Sequence, residues 1–261
     1  MRYLILGTTE ALDPLGRRLP VGGARLRALL AALALRGGRA ASVTELAGDV
    51  YGDSPPQDAP AALQALVGRL RRIIGSDAVA STPGPGYRLV AAAEDIDLYV
   101  FERQVQDAAA HLDAGDPEKA AALLGPALAL FRGPALADLS GPAGVRPEAQ
   151  RLAALRQRVE ADLRRGATDG LVPELTGLTT TYPYDEPFHA QLIRALRAEG
   201  RHADALAAFE SARRTLANAL GADPGPELAA LHRELLAGPP PAPAPSPRPY
   251  AQRVRARARG R

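Results

Sequence analysis

The 261-residue chain contains no cysteine and no tryptophan, and aromatic residues make up only 4% of it. Without cysteine there is no disulfide and no thiolate metal site, which fits a reducing cytoplasm. Few aromatics among abundant Ala and Leu argue against an all-β sandwich and favour helices. No apolar run approaches the ~18 residues that a membrane span needs. The first ten residues, MRYLILGTTE, have too short an apolar run and no small-residue cleavage pattern for a signal peptide. The expectation is a cytoplasmic protein that makes no use of a membrane.

What is present is an uneven distribution of charge. Residues 1–93 hold 11 Arg and 7 acids, whereas residues 94–237 hold 15 Lys plus Arg against 22 acids. Residues 238–261 hold 6 Arg and no acid. A basic head, an acidic body and a basic tail follow. Every basic side chain of the head is Arg, whose planar fork suits phosphate and groove edges.

The head alternates β and helical signals. Arg2 to Gly7 is β-rich, turn chemistry surrounds Asp13-Pro14, and Arg17 to Val21 reads as a second short strand. Gly22-Gly23 opens a helix, ARLRALLAALAL, which Gly37-Gly38 ends. Ser42 and Glu45 form a capping box for the next helix, with Val43, Leu46, Ala47 and Val50 on its apolar stripe. After the loop GDSPPQ, Asp58 caps a third helix, with Pro60 tolerated in its first turn. Its stripe is Leu63, Leu66, Val67, Leu70, Ile73 and Ile74. The opposite side carries Ala61, Ala65, Gly68 and Arg72, flanked by Gln64, Arg69 and Arg71. Two β segments around Pro83-Gly84-Pro85-Gly86 form a hairpin. This order is that of a winged helix-turn-helix, whose third helix enters the major groove while the hairpin follows the backbone. Small residues on that helix permit close approach to duplex DNA, and its arginines suit a groove lined by phosphate.

From Asp95 onward the pattern is helical. Gly166 and Gly200 stand thirty-four residues apart in similar contexts, and Gly115 with Ala120 matches Gly200 with Ala205. Thirty-four is the tetratricopeptide period. The longer gap from Gly115 to Gly166 implies an insertion, assigned to RGPALADLSGPAGVRP. The reading is an α+β winged helix-turn-helix domain, residues 1–93, followed by an all-α tetratricopeptide-like helical domain, residues 94–238. The Pro-rich, Arg-rich residues 239–261 cannot bury a core and read as a disordered tail.

Catalytic chemistry finds no support. His111, His189, His202 and His232 lack metal-like partners. Asp185-Glu186 is a cap rather than an acid–base pair, and the glycine pairs have no strand–loop–helix phosphate context. No cofactor, no metal site and no catalytic residue is expected. The rival to a DNA-binding protein is an interaction scaffold whose head only folds. The arginine-bearing helix with bare Ala and Gly on its outer side argues against the scaffold.

These segments together resemble the small actinobacterial antibiotic-regulatory proteins. In the head the resemblance is carried by GGARLRALLAALAL, SVTELAGDVYGDSPP, ALQALVGRLRRIIG and PGPGYRL. In the body it is carried by DLYVFERQV, AGDPEKAAALL, ALALFRGPALADL, EGRHADALAAF and RRTLANALGADPGPELAALHRELL. It covers nearly the whole chain to Leu236. Two positions depart from the common pattern: Gly68 replaces a frequent Ser, and Tyr51 a frequent Trp. The wing turn also lacks the Arg often found before it. The resemblance implies a response-regulator-type winged helix joined to a bacterial transcriptional activation domain. It implies activation of antibiotic biosynthetic genes from tandem direct repeats in double-stranded DNA, with RNA polymerase recruited alongside. It makes Ala59 to Ile74 the recognition helix and Tyr87 and Arg88 the wing. Gly52, Asp53, Ser54, Pro55, Pro56 and Gln57 become the polymerase-facing loop, and the helical domain the homodimer contact. Neither a phosphoacceptor receiver nor an ATPase half is expected in the chain. Heads on direct repeats joined by two-fold bodies would require flexibility near Ala91-Ala92-Ala93.

Overall fold

A computed structural model describes residues 1–237; the tail assigned to 239–261 lies outside the described residues. The chain divides into two compact units, Met1–Thr181 and the segment from Tyr182 onward.

The first unit begins with strands β1 (Arg2–Leu4) and β2 (Glu10–Leu12), paired antiparallel with Tyr3 opposite Ala11. Helix α1 (Ala24–Leu35) buries Leu26, Leu29, Leu30 and Leu33 together with four alanines. The two-residue strand β3 (Ala41–Ser42) leads into α2 (Val43–Tyr51), and α3 (Ala59–Ile74) follows. Strands β4 (Val79–Thr82) and β5 (Gly86–Leu89) make the hairpin, and β5 lies between β4 and β3. Three helices packed on one another and closed by this hairpin are a winged helix, as the sequence order indicates. Gly86 is required where β5 passes β3, since a Cβ there would sit 2.6 Å from the Ala41 carbonyl oxygen.

Three helices of the body complete this unit's core. They are α4 (Asp97–Asp113), α5 (Pro117–Ala129) and α6 (Val145–Arg164), and α7 (Leu171–Thr181) ends the unit. One hydrophobic cluster runs from Tyr3 and Ile5 through Leu30, Leu46 and Leu70 to Phe101, Leu124 and Ala161. Head and early body therefore share a core, although the sequence reads as changing character near residue 94.

The seam between them is hydrogen-bonded as well as apolar. Ile5 N–H and Leu6 N–H donate to the buried Asp97 carboxylate at 2.8 and 3.0 Å. The carbonyls of Ile5 and Leu6 accept from Leu136 and Arg132 N–H, both at 2.8 Å. This explains why the β-rich stretch Arg2 to Gly7 stops being a strand at Leu4. Beyond it, the backbone finds partners in the body instead of in a neighbouring strand. Asp138 accepts from Thr9 N–H and from Arg27 Nε, both at 2.7 Å. The segment assigned as an insertion into the repeats is thus what fastens the body to β1 and β2. Leu136 there holds φ +54, uncommon for a residue with a side chain, and its N–H is fixed on Ile5.

Where flexibility is expected, at Ala91-Ala92-Ala93, the chain leads directly into an anchored turn. Asp95 caps the following turn through Ala92 N–H at 3.0 Å, Ile96 is fully buried and bridges Tyr3, and Asp97 is locked as described. Burial holds the Asp97 carboxyl above its ordinary range, against the lowering effect of the Ile5 and Leu6 N–H groups and of Arg132.

The second unit holds α8 (Glu186–Ala198), α9 (His202–Leu220) and α10 (Pro226–Leu236). Asp185 caps α8 by accepting from Phe188 N–H, so the Asp185-Glu186 pair is structural, as expected. Gly115, Gly166 and Gly200 share one geometry, with φ of +77, +72 and +75, in the turns after α4, α6 and α8. The spacing in the sequence therefore marks the same left-handed glycine turn after three helices, two of which, α4 and α8, pack against the helix that follows.

Candidate nucleic-acid interface

Helix α3 starts where the sequence says it should. The Asp58 side chain accepts from Ala61 N–H at 3.0 Å, and a proline sits in the first turn. Leu63, Leu66, Val67, Leu70 and Ile74 are buried against α1 and α2. Ala61, Gln64, Ala65, Gly68, Arg69 and Arg72 are all exposed. Residues 61, 65, 68 and 72 follow the i, i+4, i+7, i+11 spacing that lines up one side of a helix. A Cβ added at Gly68 would meet no heavy atom within 4 Å. Packing inside the chain does not demand a glycine there, although glycine costs a helix interior roughly 0.5–1 kcal/mol relative to alanine.

The three arginines of α3 have different surroundings. Arg72 Nε reaches only the Gly68 carbonyl, at 3.4 Å, along its own helix. Arg69 borders a groove whose other wall is Gly22, Gly23 and Arg25 at the start of α1. Neither has a carboxylate partner among the described residues. Arg71 is half-buried and turned toward the hairpin. It donates from Nε to the Val79 carbonyl at 2.9 Å and from Nη2 to Ser81 Oγ at 3.1 Å, and its guanidinium lies 5.9 Å from the Tyr87 ring centroid. The sequence places Arg71 with the groove-facing arginines; the structure places it as the tie between α3 and the wing. Helical periodicity could not reveal this, because Arg71 sits at the edge between the two sides.

On the wing, Arg88 is exposed and Tyr87 half-buried. Tyr87 lies opposite Ala41 on one side and Ser81 on the other. Arg25 is a basic residue that sequence reasoning passed over. It stands over the Tyr51 ring, 5.1 Å from its centroid, and lines the same groove as Ala65 and Arg69. The available signal was its position in the first turn after Gly22-Gly23. Glu45 is engaged in the capping box of α2, where the Ser42 N–H and hydroxyl hold its carboxyl below the ordinary range. Arg25, Arg69 and Arg72 thus put positive charge beside a helix side with almost no bulk, and Arg88 stands exposed on the wing.

The loop Gly52 to Gln57 connects α2 to α3. Asp53, Ser54, Pro55 and Gln57 are exposed, Gly52 and Pro56 partly so. At its base a Cβ on Gly52 would lie 3.7 Å from Ser140, so the loop borders the segment that fastens the body.

Among the described residues no cluster of His, Asp or Glu could hold a metal, and no helix is long and apolar enough to cross a membrane. His189 Nε2 lies 2.9 Å from the Pro183 carbonyl, and His232 stacks on Phe209 at 4.0 Å.

Comparison with known proteins supplies independent information. The profile described as bacterial transcriptional activator domain matches residues 96–236, and that described as transcriptional regulatory protein, C terminal, matches residues 22–89. Regulatory protein DnrI of Streptomyces peucetius is 35% identical, over 82% of this chain and 84% of its own. Regulatory protein AfsR of Streptomyces griseus is 37% identical over 90% of this chain, which spans only 24% of that relative's length. A solved structure of Mycobacterium tuberculosis EmbR, in complex with a low-affinity phosphopeptide, superposes with a TM-score of 0.85 at 32% identity. That alignment covers 92% of this chain and 66% of the other.

Proposed function

The chain belongs to the antibiotic-regulatory family of transcriptional regulators that join a winged helix to a bacterial transcriptional activator domain; from that premise we propose that it is a sequence-specific DNA-binding activator of a biosynthetic gene cluster. The observation that carries this reading is the outer side of α3. It presents Arg69 and Arg72 without carboxylate partners beside Ala61, Ala65 and Gly68. Arg72 in the last turn also suits the helix dipole, but the absence of bulk at Ala61, Ala65 and Gly68 between the cations is what suits close approach of a phosphate-lined groove.

In this reading α3 lies in the major groove. Gln64, Arg69 and Arg72 are the side chains long enough to reach base edges or phosphates, while Ala61, Ala65 and Gly68 admit the groove wall. Arg88 and Tyr87 set the wing against the backbone, and Arg71 holds the wing at its angle to α3. Residues 1–93 contact DNA, and residues 94–238, read as tetratricopeptide-like, join two copies of the chain. The loop Gly52 to Gln57 faces RNA polymerase. The Arg-rich residues 239–261 add salt-sensitive attraction without reading sequence. Two linked heads on tandem direct repeats gain avidity because the second contact is intramolecular. In this scheme the hydrogen bonds of the seam favour joint motion of head and early body.

The test is fluorescence anisotropy of the full chain on DNA from upstream of neighbouring biosynthetic genes, carrying two repeats, one repeat or a scrambled site. Near physiological salt, specific binding should exceed binding to scrambled DNA by about 10³-fold or more, and two repeats should exceed one by ~100-fold. Equal affinity for all three DNAs would overturn the reading.

A further inference from the structure

A cavity of about 570 Å³ opens on the side of the first unit where the end of α1 meets α4 and α6. Its size is that of small-molecule sites, commonly ~300–1,000 Å³. Its lining comes from three places. Leu35, Arg36, Gly37 and Arg39 belong to the head, Ala93 to the connection, and Leu98, Tyr99, Glu102, Arg146 and Gln150 to the body. An occupant would therefore touch both parts that the seam joins.

The chemistry of the lining defines the occupant. Leu98, Ala143 and Pro147 supply an apolar surface. The charged lining is three arginines against one carboxylate: Arg36, Arg39 and Arg146 with Glu102. Arg36 is engaged with Asp49 at 2.8 Å. Arg146 pairs with Glu102 at 2.9 Å, but its side chain is 78% exposed and the pair is open to exchange. Arg39 donates only to the Arg36 carbonyl, at 3.1 Å, and has no carboxylate partner among the described residues. Gln150 donates to Glu102 at 2.9 Å, which leaves its Oε1 without a partner. The wall between the charges is fixed: Tyr99 O–H donates to the Leu35 carbonyl at 2.7 Å. Gly37, at φ +56, leaves room for that ring, which lies within 3 Å of where a Cβ would stand.

We propose that this cavity is a binding site for a small organic anion, a carboxylate or phosphate on an apolar body, held between Arg39 of the head and Arg146 of the body. The apolar body rests on Leu98, Ala143 and Pro147, and the anion takes the unpaired cation. The site lies outside the DNA-facing surface of α3 and the wing, and its occupancy is measurable without DNA. Its failure is therefore separate from that of the DNA-binding reading. A ligand there ties head to body and so stabilises the folded chain by mass action.

The experiment uses the full chain, with 1-naphthyl phosphate and 1-naphthoate as anionic probes and 1-naphthylmethanol as the neutral control. Calorimetric titration should give one saturable site for both anions and at least tenfold weaker binding of the neutral probe. Arg146→Ala and Arg39→Ala should each weaken the anions about tenfold and leave the neutral probe unchanged. Ala143→Met, which fills the apolar floor, should weaken all three probes, with an unchanged circular dichroism spectrum certifying the fold. Should Ala143→Met misfold, the arginine variants still decide the matter. Absence of saturable anion binding, or anion binding indifferent to both arginine variants, would overturn the proposal.

Discussion

The outer side of α3 and the seam between head and body use the same side chain in opposite ways. At the seam Arg27 is held by Asp138 at 2.7 Å, and Arg132 faces Asp97 at 3.6 Å and Glu10 at 3.3 Å. On α3, Arg69 and Arg72 have no acid within reach among the described residues. The seam arginines are at least two-thirds buried and neutralised, so they define a structure. Those of α3 stay solvated and unpaired, so they keep their full charge for a partner. An arginine's role in this chain is read from whether a carboxylate reaches it, and Arg71 sits between the two cases. It is exposed to no acid, yet a carbonyl and a hydroxyl already occupy its donors.

The sharpest break of this contrast is charge reversal on α3. Arg69→Glu with Arg72→Glu should lower affinity for a two-repeat DNA by about 1,000-fold, since two phosphate-directed cations become repulsive. Both side chains are exposed, so thermal unfolding should barely move. Near-normal binding at physiological salt would remove α3 as the DNA-reading helix.

On the other side of the contrast, Asp97→Ala strips the acceptor from two buried N–H groups. A loss of stability on the order of 3 kcal/mol is expected in urea unfolding. The milder Asp97→Asn also exposes a pH dependence. Burial raises the folded-state carboxyl above its unfolded value, so its ionised form weighs against folding at neutral pH. As pH falls through the folded pKa that cost is relieved, and the relief is complete below the unfolded value of about 3.9. The stability of the unmodified chain relative to Asp97→Asn should therefore rise as pH is lowered from 7 toward 4. A difference independent of pH would show that the carboxyl is not shifted upward.

A smaller effect is expected for Arg71→Ala. Loss of the tie between α3 and β4 should weaken DNA binding about tenfold, with the loss falling on wing contacts. Hydrogen exchange in residues 79–89 should increase while base preference along α3 is retained. Altered base preference with an unchanged wing would make Arg71 a base contact instead. Smallest of all, Gly68→Ala should raise stability by roughly 0.5–1 kcal/mol, because no neighbour opposes the added methyl. Any accompanying loss of DNA affinity would measure how closely the groove approaches this position.

Features legible in the sequence were those with local causes. The α1 segment was delimited by its glycine pairs, α2 by its Ser42–Glu45 capping box, α3 by Asp58, and the wing by its Pro-Gly turn. Each rests on residues within a few positions of one another, where backbone hydrogen bonding and 3.6-residue periodicity act directly. β3 escaped notice, because two residues carry no period, and the second strand lies at Glu10–Leu12 instead of at Arg17 to Val21, where only Arg18 bridges back to Leu12. The exposed set on α3 followed from the same periodicity, apart from Arg71 at its edge.

Sequence by itself therefore determined the three head helices, their caps, the wing hairpin and the cationic side of α3, since short-range sterics and hydrogen bonds decide these. Tertiary structure alone decided where the chain's long-range polar groups were satisfied. Asp97 meets Ile5 across 92 positions and Asp138 meets Thr9 across 129. No local pattern announces such a pair. Removing the Ile5 and Leu6 amides from water leaves them a strong need for acceptors, and only the folded arrangement brings the Asp97 carboxylate to them. That requirement makes the segment around Arg132 to Asp138 a fastening between body and head.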